Sequence, residues 1–251
     1  MAFPKAYGRY ASPMLLLSIL VFALSYYWPY MVEVVAKYYE PHYSIRILSY
    51  DPLLIHLEGF ISKPERIYLM NLGRSKVVEL DFSEAVSDYR TSDTAWLPLQ
   101  DPIVQRIFAR ASRLQGYSPI ANQEPLQLTR YKAGQQYKPH WDHFQDQFIP
   151  ANESQRITTI FAILDATCDE CGTRFPYLNV DWSKEDPRWC QFVDCGQKAM
   201  TIRPVPGNAV FWKNLNASNL GEYRTLHAGL PPLNGTKVGL NIWTREQAVI
   251  P

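Results

Sequence analysis

The residues of this chain best suited to chemistry gather in one stretch, "YKPHWDHFQD" (137 to 146), which places His140, Asp142, His143 and Asp146 within seven residues. In a β-strand, residues i and i+2 share a face. His140 and Asp142 can therefore aim at one ion, with Trp141 and His143 pointing away and His143 and Asp146 left on the rim. A His-x-Asp pair needs a third ligand from elsewhere. His42 and His56 belong to the first part of the chain, whereas His227 falls in its strand-rich half.

Two imidazoles and one carboxylate make a facial triad, the ligand set of non-haem Fe(II) oxygenases, with positions left open for oxygen and a chelating cosubstrate. The same donors serve zinc hydrolysis, so the ligands alone leave both chemistries open. Lys237 follows His227 by ten residues, on the next expected strand. A cation there suits the distal carboxylate of a 2-oxo diacid, and equally suits a solvated surface.

Such a site needs a strand scaffold, and the second half of the chain supplies the signals for one. After Gln123, "PLQLTRYKAG", "QRITTIFAILD", "TRFPYLNV", "KAMTIRPVPGNAVFWKN" and "KVGLNIWTRE" are rich in Thr, Ile, Val and aromatics and are punctuated by Gly and Pro. Before them, "YDPLLIHLEGFIS" alternates in polarity. "SKPERIYLMNLGRS" reads as a helix with Pro64 near its start and Gly73 near its end. "DPIVQRIFARASRLQG" reads as a second helix, capped by Asp101, with Ile103, Ile107 and Leu114 on one face and Gly116 as its stop. Helices followed by many short strands imply an α+β fold whose sandwich or barrel carries the site.

The chain has 251 residues and a net charge of +1, which gives no reason to expect nucleic acid as a partner. From Tyr10 to Val32 there is no charge over 23 residues, long enough to cross a bilayer, with Tyr26, Tyr27, Trp28 and Tyr30 as an interfacial belt. Lys5 and Arg9 precede it, so the expected order is a cytosolic tail (1–9), a signal anchor (10–32), a linker (33–49) and a lumenal domain (50–251). A cleaved signal peptide is the alternative, and the length of the run favours the anchor. Three sequons, at Asn152, Asn216 and Asn234, agree with a lumenal body. So do Cys168, Cys171, Cys190 and Cys195, which read as two local disulfides ahead of a zinc knuckle, in any of three pairings.

Four motifs in order, "RYKAGQQYKPHWD", "GTRFP", "GNAVFW" and "HAGLPPLNGTKVGLNIW", resemble the Fe(II)/2-oxoglutarate-dependent prolyl 4-hydroxylase family over roughly residues 50 to 250, in its short, membrane-anchored form. The resemblance implies a double-stranded β-helix, or jelly roll, with packing helices. It implies hydroxylation of peptidyl proline at C4 in a proline-containing peptide or protein, with Fe(II), 2-oxoglutarate and ascorbate as cofactors. It also implies residence in the endoplasmic reticulum membrane with the catalytic domain lumenal. His140, Asp142 and His227 match the iron ligands, and Lys237 matches the 2-oxoglutarate lysine. Tyr131 and Thr173 match positions whose hydroxyls contact the cosubstrate. Arg90, Ser92, Glu124, Tyr137, Arg156 and Trp243 match positions around the substrate peptide.

The chain departs from the family pattern in two places. Glu170-Cys171 stands where many relatives carry Gly-Gly, so the turn there must be made differently, with Gly172 and a disulfide at Cys171 as its means. Arg245 stands where many carry His, which bears on substrate choice. Two further readings follow: an oxygenase of the same fold acting on another substrate, and a non-enzymatic membrane-anchored binding module. The intact ligand set and lysine count against the second.

Overall fold

The computed structural model describes residues 40–79, 91–145 and 154–247, with scattered positions between 18 and 34. Strands β1 (Ser44–Tyr50) and β2 (Leu53–Glu58) form a hairpin, followed by helix α1 (Lys63–Glu79), β3 (Asp93–Trp96) and helix α2 (Pro102–Leu114). The strand-rich half then supplies β4 (Gln127–Lys132), β5 (Tyr137–His140), β6 (Arg156–Ala166), β7 (Thr173–Asn179), β8 (Ala199–Ile202), β9 (Ala209–Lys213), β10 (His227–Gly229) and β11 (Thr236–Arg245). They make a seven-stranded sheet, β1-β2-β9-β6-β11-β4-β3, and a four-stranded sheet, β5-β10-β7-β8. Every rung is antiparallel. The α+β expectation holds, and the two facing sheets agree with a jelly roll.

Strand alternation divides the interior in two. Ile160, Ala162 and Leu164 of β6 and Leu240 and Ile242 of β11 face the helices, where Leu69, Ile103, Val104, Ile107 and Phe108 meet them. Phe161 and Ile163 of β6 face the smaller sheet and pack with Phe175, Met200, Ile202, Val210 and Trp212. The functional side chains occupy this second, inter-sheet space.

Helix α2 is built as its sequence directs. Asp101 Oδ1 accepts from the Ile103 and Val104 N–H groups at 2.8 and 3.1 Å, a cap worth about 1 kcal/mol. Gly116 closes it with a φ of +72°. In α1, Ser62 and Glu65 form a capping box, each bonding the other's backbone N–H. Gly73, expected near this helix's end, sits inside it instead. A Cβ there would stand 2.9 Å from Leu128 Cδ1, so its smallness serves close helix-on-sheet packing.

A second correction concerns the linker. Residues 44–49 belong to β1, paired with β2. The strand was hidden because its exposed apolar residues, Ile45 and Ile47, lie on an outer edge and give no core-facing signal. Glu40, just before it, is bound by Arg106, Arg110 and Arg113 of α2.

The cysteines pair sequentially, Cys168–Cys171 and Cys190–Cys195, as disulfides rather than as a zinc-ligand set. Asn216 and Asn234 lie on loops, and Asn152 is outside the described residues. Most of the expected anchor, residues 10–32, is likewise outside them. Among the described residues no helix is long and apolar enough to cross a membrane.

A buried ion pair fastens helix α2 to helix α1, and the same arginine reaches the segment just before α1. Arg110 Nη2 donates to Glu65 Oε1 at 2.7 Å, with both side chains 0% exposed, and Nη1 donates to the Phe60 carbonyl at 2.9 Å. Arg110→Met leaves Glu65 charged and unpartnered by that guanidinium. It is expected to lower stability by about 3–5 kcal/mol in chemical denaturation, and a loss under about 1 kcal/mol would contradict this account.

Candidate active site

In the smaller sheet, His227 of β10 pairs with His140 of the edge strand β5. Both imidazoles are buried, with ring centroids 4.2 Å apart. Asp142 is not a strand neighbour of His140, contrary to the pleat argument. β5 ends at His140, and the bend behind it swings the carboxylate back towards the rings. Asp142 Oδ1 lies 3.7 Å from His140 Nε2, and Oδ2 lies 3.7 Å from His227 Nε2. One donor atom from each residue lies within 4.8 Å of the others.

Hydrogen bonds fix which nitrogens face inwards. His140 Nδ1 is 2.8 Å from the Lys138 carbonyl oxygen and His227 Nδ1 is 3.1 Å from that of Thr225. A carbonyl can only accept, so each Nδ1 carries the proton and each Nε2 lone pair is left for a metal. Facial donors at about 2.1 Å from an ion sit about 3 Å apart, so each 3.7 Å histidine–aspartate separation would have to close by about 0.7 Å around a metal.

The Asp142 carboxyl is held below its usual range despite full burial. Burial alone would raise it, but the electrostatic influence of the His227 and His140 imidazoles and the Arg156 guanidinium, with the Thr159 hydrogen bond, outweighs that effect. Thr159 Oγ1 donates to Asp142 Oδ2 at 2.8 Å and accepts from Asn214 Nδ2 at 3.0 Å. Aromatic rings wall the site: Tyr137 stacks on His140 at 3.5 Å, and Trp212 meets His227 edge-on at 4.7 Å. Thr159 and Asn214 escaped the sequence reading. One is a threonine in a threonine-rich strand and the other an asparagine after a strand, and neither has diagnostic spacing.

Lys237 lies on the inner face of β11, 0% exposed. Its Nζ donates to the Cys171 carbonyl, lies 3.4 Å from the carbonyls of Gly172 and Leu230, and sits 4.9 Å from the Tyr131 ring centre. Burial pulls its pKa down to about 7. Tyr131 is its cross-strand partner, and Thr173 is buried on β7 beside Gly229 of β10. The cosubstrate candidates therefore adjoin one another.

The residues matched to the substrate peptide divide. Glu124, Arg156 and Trp243 form one unit: Glu124 Oε1 accepts from Arg156 Nε at 2.6 Å, and the Arg156 guanidinium lies 3.9 Å from the centre of the Trp243 ring. Arg245 joins it, donating to Glu124 Oε1 at 2.7 Å and to the Ser154 carbonyl at 2.8 Å. Tyr137 belongs to the wall of the triad. Ser92 is buried at the start of β3, and Arg90 lies outside the described residues. His143 packs against Gly221 outside the triad, and Asp146 is outside the described residues. His42 is exposed. His56 is buried beside Phe192, and burial lowers its pKa to about 4.

Residues 126–245 match the 2OG-Fe(II) oxygenase superfamily. The chain is 30% identical over 204 residues to probable prolyl 4-hydroxylase 3 of Arabidopsis thaliana, covering 78% of this chain and 70% of that protein. It is 31% identical over 214 residues to prolyl 4-hydroxylase 1 of the same plant, covering 80% and 72%. The chain belongs to the prolyl 4-hydroxylase family. Fe(II) and 2-oxoglutarate are that family's metal and cosubstrate, and the His-Asp-His cluster is a donor set that suits the iron. A solved relative is the viral collagen prolyl hydroxylase of Paramecium bursaria Chlorella virus-1 in its 2-oxoglutarate complex. It is 25% identical with a TM-score of 0.58, covering 78% of this chain and 96% of that one.

Thr159→Val keeps the shape of the side chain and removes the hydrogen bond to Asp142. Affinity for Fe(II), titrated calorimetrically without oxygen, is expected to fall about 10–100-fold. Unchanged affinity would show that Asp142 needs no such support.

Proposed function

We propose that this chain hydroxylates peptidyl proline at C4, with His140, Asp142 and His227 holding Fe(II) and Lys237 holding the far carboxylate of 2-oxoglutarate. The observation that carries this reading is the buried triad with an ammonium in the same inter-sheet space. Iron, 2-oxoglutarate and oxygen supply the oxidising power, and the cosubstrate leaves as succinate and carbon dioxide.

The protein's part is geometry and exclusion of water. The two Nδ1 hydrogen bonds stop the imidazoles from rotating, and Thr159 stops the carboxylate. Tyr131 and Thr173 border the cosubstrate's place. Tyr137, Trp243 and the Arg156–Glu124 pair offer the flat and polar faces that an extended proline-containing peptide needs. Ser92 and Arg90 complete the peptide side in this reading, and ascorbate is the reductant the family leads one to expect. Tyr177 and Tyr223, 52% and 64% exposed with ring centres 6.0 Å apart, extend the aromatic rim, and Trp141 donates to the Tyr223 carbonyl.

We further propose that residues 10–32 anchor the chain in the endoplasmic reticulum membrane with the catalytic domain lumenal. The uncharged run supports this, as do the two disulfides, which persist in oxidising compartments. Protease treatment of intact microsomes should spare the domain, and its digestion there would overturn the placement.

Turnover is tested by incubating the protein with Fe(II), 2-oxoglutarate and proline-rich peptides and weighing the products. One added oxygen on proline is expected, and its loss in His140→Ala. Gain of oxygen on a different residue type alone would point to another substrate class. The pH dependence has a definite sign. Lys237 is half neutral near pH 7 in the free protein, and a bound carboxylate restores its charge. Above that pH, binding of 2-oxoglutarate draws a proton, and its Kd rises by up to about tenfold per pH unit. Calorimetry at pH 8 in buffers of different ionisation enthalpy measures the uptake.

A further inference from the structure

Two of the three carbonyl groups around the Lys237 ammonium belong to a single turn, the third being that of Leu230 at 3.4 Å. Its Nζ donates to the Cys171 carbonyl and lies 3.4 Å from that of Gly172. That turn is closed by the Cys168–Cys171 disulfide, with Cys171 fully buried and Cys168 6% exposed. It is tied down at both ends. Before it, the Thr167 N–H donates to the Thr236 carbonyl, and the Thr236 N–H donates to Thr167 Oγ1, both at 2.9 Å, beside Lys237 itself. After it, Gly172 lies so close to β8 that a Cβ there would stand 2.5 Å from the Ile202 carbonyl oxygen.

We propose that the Cys168–Cys171 disulfide is a positioning element for the cosubstrate: by fixing the Cys171 and Gly172 carbonyls, it sets where the Lys237 ammonium sits and thereby the affinity for 2-oxoglutarate. A charge-assisted hydrogen bond works over a narrow range, about 2.7–2.9 Å for an ammonium and a carboxylate. An ammonium drawn aside by loosened carbonyls loses that contact with the distal carboxylate. The triad is held by separate hydrogen bonds to Lys138, Thr225 and Thr159, so the oxidation step is untouched. The Cys190–Cys195 disulfide starts on a short helical turn between β7 and β8; among the described residues neither cysteine hydrogen-bonds Lys237, so this bridge is a built-in control.

This role rests on Lys237 being the 2-oxoglutarate lysine, and the experiment separates the two claims. Binding of 2-oxoglutarate to the full chain with Fe(II), without oxygen, is measured by calorimetry for the parent, C168S/C171S and C190S/C195S. The first variant is expected to raise Kd about tenfold, and the second to leave it unchanged. Under turnover, C168S/C171S should raise KM for 2-oxoglutarate while kcat at saturation stays within about twofold. Affinity for 2-oxopentanoate, which lacks the far carboxylate, should be the same with and without the disulfide.

An unchanged Kd in C168S/C171S, an equal rise in both variants, or an equal loss for 2-oxopentanoate would overturn the proposal. Should C168S/C171S fail to fold, the folded parent is reduced with a phosphine and the opened disulfide identified by mass spectrometry. A higher Kd once Cys168 and Cys171 are thiols supports the proposal, and an unaltered one overturns it. Failure of the parent to bind 2-oxoglutarate at all would instead remove the reading of Lys237.

Discussion

His140 and His227 face each other across one antiparallel rung, and the register of that rung is what the site depends on. A slip of one residue in a strand exchanges its two faces, so it would turn an imidazole out of the space between the sheets. β10 is only three residues long, too short for backbone bonds alone to set that register. Its neighbours do the rest. β5 and β7 pair with it on either side, Trp212 and Phe175 pack against the His227 ring, and Arg224 bonds Glu222 and Asp51 to fix the chain entering it.

The inter-sheet space holds polar and apolar side chains in direct contact. Asp142 and Lys237 are both buried in it, yet they are stabilised differently. Asp142 has imidazole, guanidinium and hydroxyl neighbours that favour its charge, so it stays ionised. Lys237 has carbonyl oxygens and an aromatic face, and burial outweighs them in lowering its pKa. The first group is thus finished before any ligand arrives, whereas the second gains from an arriving anion. Phe161, Phe175 and Trp212 fill the remaining volume and keep the sheets at a fixed spacing.

What could be read from sequence depended on whether a residue's role was local. The cap at Asp101 and the stop at Gly116 act within a few residues, and both stand as expected. His140, Asp142 and His227 were legible as a possible ligand set from their types, Lys237 only through the resemblance of the motifs around it, and the structure brings all four into one space. The bend that delivers Asp142 was not legible, since pleat geometry gives the same sharing of a face. Gly73 resembled a helix stop because its contact with Leu128 lies on a strand far along the chain. Thr159 and Asn214 acquire meaning only through a carboxylate brought to them by folding. β1 was missed because an edge strand with outward apolar residues has no inward pattern to detect.

The clasp of Glu40 by three arginines has a directional consequence. Arg106, Arg110 and Arg113 belong to the helix layer, which covers one face of the larger sheet, whereas the triad lies beyond its other face. The polypeptide therefore joins the body at its back. Tension applied to the chain at Glu40 would load the helices first, with the thickness of a whole sheet between that point and the triad.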